Sequence, residues 1–406
     1  MIVQPQVRFP FLWSWHIADL AIMASLGLHL VSAISEGKPL LRFGPGTKIG
    51  CAILFFGFTS LYIGRLNINS NWNSHIDVLA KNTLVLLLIE AMAVDFKRVW
   101  ALLMSVTIAS MWWMKAGFRL GTMGSEFSPG RMMGAAVGMV ENPNAFAYMV
   151  CVLIPLYAFF AKTTKEKSVR FFFLAMILLS VYIVLKTGSR SGFLALLVGG
   201  AFVVFHFARK NMFQIVIAVV ALYFILPLIG VKTMDRLFST KDSISSFMSG
   251  EIKDQSELSQ DEQSAQERRL KNRDSWALIL AYPVFGVGIN PNQSLFPSRF
   301  SFARGQVHNE ILMAGVQMGF IGMGLYILLV GCPIVLGYKI MKKMKTTWPD
   351  LADIGWLLMV QGFIIAAAGF FAPTPWSAMT MIVCGATSAL YMGLQVEGFI
   401  AETKIT

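Results

Sequence analysis

Charge is scarce in this chain. Only 14% of its 406 residues are Asp, Glu, Lys or Arg, while 56% are hydrophobic. Soluble domains carry about 25% charged residues, so a soluble enzyme is excluded and no segment reads as a separate soluble domain. Acidic residues are the scarcer sign, 22 against 34 basic ones, for a formal charge of +12. That excess does not call for a nucleic-acid partner. The basic residues sit mostly in short loops between apolar runs, where they set the orientation of membrane spans. Cysteines are few: Cys51, Cys151, Cys332 and Cys384 all fall inside apolar runs, with spacing that suggests neither a metal site nor a disulfide framework. The N-terminus lacks a basic start followed by a short apolar core and a small-residue cleavage site, so no removable signal peptide is expected. No internal repeat is found, which counts against a transporter. Carboxylates do not cluster in the polar loops. Asp235, Asp242, Asp254 and Asp261 are scattered and read as solvated loop charges, so no metal and no cofactor is expected.

What the chain does have is apolar runs of about 20 residues, each long enough to span a bilayer. They parse as eleven spans near 13–34, 47–64, 76–94, 98–115, 140–161, 171–187, 192–208, 212–230, 308–337, 353–371 and 376–394. The expected architecture is an all-α polytopic membrane protein. It divides into N-terminal spans (1–230), a long polar loop (231–307) and C-terminal spans (308–406). Lys38, Arg42 and Lys48, Lys97 and Arg98, Lys162 to Arg170, Arg209 and Lys210, and Lys339 to Lys345 fall in alternate loops. Those loops belong in the cytoplasm. The opposite set holds the Thr187–Ser191 turn, the 116–139 segment with Arg119, Glu126 and Arg131, and the long 231–307 loop.

Three polar elements fall on that second face. The first is the turn Thr187-Gly188-Ser189-Arg190-Ser191-Gly192. Its glycines allow close backbone approach, its hydroxyls and N–H groups can bind an anion, and Arg190 adds a fixed multi-donor charge. The plain alternative is an arginine snorkelling to headgroups. The second lies over 264–282, where the spacing of Leu270, Trp276, Ile279 and Leu280 predicts an amphipathic helix along the bilayer surface. It carries Arg268, Arg269, Lys271 and Arg273 near its start and ends at Pro283. This basic cluster can bind anionic lipids, or aim one arginine at a diphosphate. The third is His308-Asn309 at the head of the next span, a proton acceptor suited to neutral pH. His16, His29 and His206 lie in apolar runs, and His75 has weak context. Cations held where membrane meets water suit a lipid-linked phosphate substrate.

Together these stretches resemble the O-antigen ligase/polymerase superfamily. The likeness is carried by Thr187–Gly192, by Ser264–Arg268 through Pro283-Val284-Phe285-Gly286-Val287-Gly288, and by His308-Asn309 ahead of Gly319-Phe320-Ile321-Gly322. It covers mainly residues 180–325, with a weaker echo in Glu141-Asn142-Pro143-Asn144. The resemblance implies a metal-independent, inverting glycosyl transfer on the periplasmic side of the bacterial inner membrane. The implied donor is an undecaprenyl-diphosphate-linked glycan, and the acceptor lipid A–core, another glycan or a protein. It makes Arg190, Arg268 and His308 the expected catalytic residues. Arg269 competes with its neighbour, and Ser189, Ser191 and Asn309 are expected to help bind substrate. The chain departs from the family in showing eleven rather than the usual twelve or so spans. It also has Asn272 where relatives often carry an aromatic residue, with Trp276 one turn later.

The chemistry suits these side chains. Breaking a sugar–diphosphate bond leaves negative charge that two guanidiniums can offset. His308 can take the acceptor proton or orient a substrate, and Glu141 is a supporting candidate. Three functions remain open. One is a ligase, favoured by the His-Asn-to-Gly spacing. The second is a polymerase using the same donor. The third is a transporter of lipid-linked oligosaccharides.

Overall fold

The structure, a computed structural model, describes residues 17–37, 40, 42–64, 74–120, 132, 143–208, 260–289, 307–370 and 376–398. Among them every regular element is a helix: α1 (Ile17–Ser35), α2 (Pro45–Ile63), α3 (Ser74–Met92), α4 (Phe96–Leu120), α5 (Pro143–Thr163), α6 (Lys167–Lys186), α7 (Arg190–Ala208), α8 (Gln260–Ala281), α9 (Glu310–Met344), α10 (Pro349–Gly369) and α11 (Ala378–Val396). Ten of them follow the expected spans and α8 the expected surface helix. The expected span at 212–230, the 133–142 segment with Glu141, and Asp235, Asp242, Asp254, Glu126 and Arg131 lie outside the described residues. Helices α2, α5, α6, α9, α10 and α11 are each long and apolar enough to cross a membrane. α3 is not in that set; it carries Asp77, Lys81 and Glu90. The protein is a multi-pass membrane protein.

The bundle is organised around α5, in which every residue from Phe146 to Ala161 is buried. Gln361 of α10 donates to the Val152 carbonyl at 2.8 Å, one turn before Pro155, where a ring replaces an N–H of the helix ladder. At one end of the bundle Lys162 of α5 pairs with Asp353 of α10. The last turn of α9 brings Lys342 and Lys343 to that end as well. On α6, by contrast, Phe171, Phe172, Leu174 and Leu178 are exposed, as side chains facing lipid tails are.

Helices α9 and α10 lie antiparallel, and glycines let them close. Gly355, Gly362 and Gly369 recur every seven residues along α10. A Cβ at Gly355 would come within 2.7 Å of the Met341 nitrogen, one at Gly362 within 2.7 Å of Ile334, and one at Gly369 within 2.4 Å of the Tyr326 hydroxyl. Membrane helices gain little from hydrophobicity between them, so this close van der Waals approach is what holds the pair.

The expected single span at 308–337 is not one straight rod. Met318 (φ −133°, ψ 22°) and Gly319 (φ 63°, ψ −157°) are non-helical inside α9, and the chain folds back there. The Tyr326 hydroxyl donates to the Glu310 carboxylate, 16 residues away. In a straight helix their Cα atoms would stand about 24 Å apart, far beyond the reach of the two side chains. A Cβ on Gly322 would likewise press on the Ala314 carbonyl at 2.2 Å. Residues 310–317 therefore form a short arm doubled against the long arm, 320–344.

The reversal interrupts the hydrogen-bond ladder, and a neighbouring loop completes it. The amides of Val287 and Gly288 donate to the carbonyls of Val316 (2.9 Å) and Gln317 (3.2 Å), and Phe320 N–H donates to Pro283 O at 2.7 Å. Ser60 Oγ at the end of α2 lies 2.9 Å from Phe285 O and 2.5 Å from Gln317 O. Buried backbone groups need such partners. Two glycines make the fit possible. Both have positive φ, and a Cβ would strike Val316 O from Gly286 at 2.5 Å, or Pro283 O from Gly319 at 2.3 Å. The Gly-Val-Gly and Gly-Phe-Ile-Gly stretches are thus two halves of one interlock.

The expected apolar face of α8 is divided. Of its anticipated apolar face, Leu270 and Ile279 are buried, while Trp276 and Leu280 are exposed. Leu278 and Ile279 pack on Val287 and Val316, so the helix docks on its own return loop and the short arm of α9. Trp276 meets Phe320 edge-on at 6.0 Å. The short arm offers an apolar surface that lipid would otherwise supply.

Candidate active site

The docking of α8 carries its basic residues toward the head of α9. Arg268 and Lys271 act on the His308 imidazole, and Glu267 acts in the opposite sense. Glu267 is tied to Lys271 by a 2.7 Å ion pair. That bond, with lesser contributions from the His308 and Arg268 charges, holds its carboxyl below the usual range. The charged groups acting on His308 include Arg268, and Arg268 and Arg269 are both half-buried. Arg273 points its guanidinium at Asp274, 3.0 Å away.

His308 sits in the connection just ahead of α9. Burial first, and then the Arg268 and Lys271 charges, bring its pKa down to about 4. The ring is therefore neutral at physiological pH and able to accept a proton or hydrogen bond. Its Nδ1 is buried and makes no hydrogen bond among the described residues. Asn309, expected to help bind substrate, caps α9: its Oδ1 accepts the Leu312 amide at 3.1 Å.

The Thr187–Gly192 turn is a compact cap for α7. Gly188 adopts φ +58°, Ser189 Oγ accepts the Gly192 amide at 3.1 Å, and the Ser189 and Ser191 hydroxyls bond each other at 2.9 Å. Both serines are buried. Arg190 is the first residue of α7 and half-buried. The turn seats against α5, where a Cβ on Gly192 would lie 2.4 Å from Ala147 Cβ. The next residue, Tyr148, is hydrogen-bonded to Thr380 (3.0 Å) and Ser377 (3.3 Å) at the head of α11. It also lies within electrostatic reach of Glu310. The Arg190 turn, through α5, and the segment that begins at His308 thus lie toward the same end of the bundle.

This end also holds polar groups that the sequence did not single out. Glu310 is fully buried and bonded to Tyr326. Trp376 Nε1 donates to Gln317 Oε1 at 2.8 Å, and Asn82 of α3 donates to the Trp376 carbonyl at 2.7 Å. The available signal was a carboxylate directly after His-Asn in an apolar run, since intramembrane ionisable residues mark sites by default.

Residues 174–327 match the family model described as O-antigen ligase. The match supports the O-antigen ligase superfamily for this part of the chain. The matched stretch begins within α6, takes in α7 and α8, and ends in the long arm of α9, so it contains Arg190, Arg268, Arg269 and His308. Members of the family are ligases or polymerases of the glycosyltransferase kind, working between a lipid-linked glycan and an acceptor. No curated protein matches the chain.

Proposed function

We propose that this protein is a membrane glycosyltransferase of the O-antigen ligase type. It moves a glycan from undecaprenyl diphosphate to an acceptor, lipid A–core or another glycan or protein, on the periplasmic side of the inner membrane. The observation that carries this reading is His308, neutral and half-buried beside Arg268 and Lys271. A histidine among cations is a poor permanent base and a good partner for a site that fills with an anion.

Reaction follows from that arrangement. Arg268 and Arg190 bind the diphosphate, with Arg269 and the Ser189–Ser191 turn supporting them, and Asn309 fixes the helix head next to His308. The acceptor hydroxyl attacks the anomeric carbon from the side opposite the diphosphate. A new carbon–oxygen bond forms as the old one breaks, and its electron pair leaves on the diphosphate, inverting the anomeric centre. The guanidiniums offset the charge that develops there, and no metal is required for that role. The hydroxyl proton passes to His308. Bound diphosphate places negative charge near the imidazole and raises its proton affinity, so the donor itself arms the base.

The test is transfer by purified protein in detergent with chelator present, using an undecaprenyl-diphosphate-linked repeat with and without lipid A–core. Glycan on the core supports the ligase. Lengthening on undecaprenyl diphosphate alone makes the protein a polymerase. If neither product forms with a competent donor, the reading fails and a flipping assay takes its place.

A further inference from the structure

The fold-back of α9 gives Glu310 a task that a helix-start carboxylate does not ordinarily have. Its side chain is wholly buried and stands where three elements meet. The long arm of α9 supplies the Tyr326 hydroxyl, α5 supplies Tyr148, and α10 supplies Gly369, whose missing Cβ leaves the space the pair occupies. A Cβ there would lie 2.4 Å from the Tyr326 oxygen and 2.8 Å from Glu310 Oε2. A carboxylate buried at such a junction costs free energy unless it is bonded, and a side-chain bond across a reversal fixes the angle between two arms. Two residues upstream is His308, with the buried Val307 and the capping Asn309 on either side. Where the short arm begins, and how it is turned, decides where the imidazole sits.

We propose that Glu310 and Tyr326 form a clamp across the α9 reversal that positions His308 against the Arg268–Lys271 face of α8. Glu310 is a positioning residue: it touches no substrate and acts through the place it gives His308. The proposal rests on His308 serving the transfer reaction proposed above, and it has a readout of its own. The charged groups acting on His308 include Arg268 and Lys271, with Glu267 opposing them. Burial first, and then those cations, keep an imidazole held there neutral down to a pH of about 4. One released from that face and from its burial titrates near the ordinary histidine value of about 6.5.

The experiment measures diethyl pyrocarbonate modification of His308, peptide by peptide, between pH 5.5 and 7.5 in detergent, for wild type, Glu310→Ala, Glu310→Gln and Tyr326→Phe. Only neutral imidazole reacts. Wild type should show a flat profile. Glu310→Ala and Tyr326→Phe should show reactivity that falls with acidification around pH 6.5. Transfer should fall on the order of 10- to 100-fold in kcat, with the donor KM little changed, as displacement of a reacting group predicts. Glu310→Gln keeps an oxygen for Tyr326 and should retain the flat profile and most of the activity. If Glu310→Ala does not accumulate as folded protein, Tyr326→Phe carries the test alone. Profiles and kcat unchanged from wild type in Tyr326→Phe would overturn the clamp. A shifted profile in a protein whose transfer is insensitive to His308→Ala would keep the clamp and remove the functional reading instead.

Discussion

Two glutamates are buried in helices among the described residues, Glu90 and Glu310, and the molecule accommodates them differently. Glu90, in the last turns of α3, meets the start of α2. Its Oε2 accepts the Thr47 amide at 2.8 Å, and Gly44 and Gly46 leave it room, since a Cβ at either would come within 2.3 Å of a carboxylate oxygen. Next to it, the Gly46 amide donates to Ser388 at 2.9 Å. A carboxylate against a helix N-terminus completes backbone donors that have no partner in the helix and sits at the positive end of the dipole. Glu310 instead takes a side-chain hydroxyl from its own helix, doubled back. Glu90 joins helices at a plain structural junction; Glu310 joins them two residues from a neutral histidine among cations. On the clamp proposal, the same burial at two ends of the bundle serves stability in one place and placement of the proposed base in the other.

That contrast can be broken most directly at the end that carries the chemistry. Arg268→Ala should lower kcat/KM for transfer about a hundredfold or more, as loss of a group stabilising developing charge does, with an unchanged size-exclusion profile. A similar loss in Arg273→Ala would show that the whole basic helix matters rather than one guanidinium. At the other end, Glu90→Ala should destabilise the fold by about 1–3 kcal/mol, because the α2 donors lose their buried partner. A lower midpoint of thermal unfolding should appear while turnover per folded molecule stays constant. A turnover defect there would erase the distinction between the two carboxylates.

The pH dependence sharpens the contrast. With His308 depressed to about 4 in the folded protein and near 6.5 when unfolded, the unfolded chain binds the extra proton between those values. The stability this group contributes is therefore present above pH 6.5 and is lost as pH falls toward 4. His308→Gln should flatten that slope, and Glu90→Gln should leave the His308 part of it in place. In the transfer assay, the acid limb of kcat/KM should lie near the free-protein value of about 4, and that of kcat at higher pH, because bound diphosphate favours the imidazolium. The smallest effect belongs to Arg273→Ala. Its side chain is 60% exposed and paired with Asp274, so activity should change by less than about fivefold.

The membrane spans were legible in the sequence because an apolar run of bilayer length has few stable homes outside a membrane. Several limits agree with the helices within a few residues, as for 47–64 against Pro45–Ile63 and 353–371 against Pro349–Gly369, while the helix expected to end at 337 runs on to Met344. Arg268 and His308 were legible as types of residue at the right kind of boundary. Their meeting was not, since it depends on how α8 docks. The reversal at Met318–Gly319 was hidden for a physical reason. After His308, Asn309 and Glu310 the run to 337 is apolar but for Gln317 and Tyr326, and hydropathy reads the length of a run without reading its direction. Glu310 was hidden for a related one, because an acid in the first turn of a helix is ordinary until the helix is seen to double back on it. The split of the α8 face, with Ile279 inward and Trp276 outward, follows from the same hidden arm.

The glycine series of α10 has a consequence beyond packing. Gly355 and Gly362 seat α9 turn against turn, and the next member, Gly369, arrives beside Glu310 and Tyr326. The repeat works as a ruler whose last mark falls on the clamp. One residue inserted between Gly362 and Gly369 would rotate that mark by about 100° and lift it about 1.5 Å, leaving a larger side chain facing the Tyr326 hydroxyl. If His308 serves the proposed transfer, the depth at which it meets a lipid-borne sugar is thus written in the spacing of residues that carry no side chain at all.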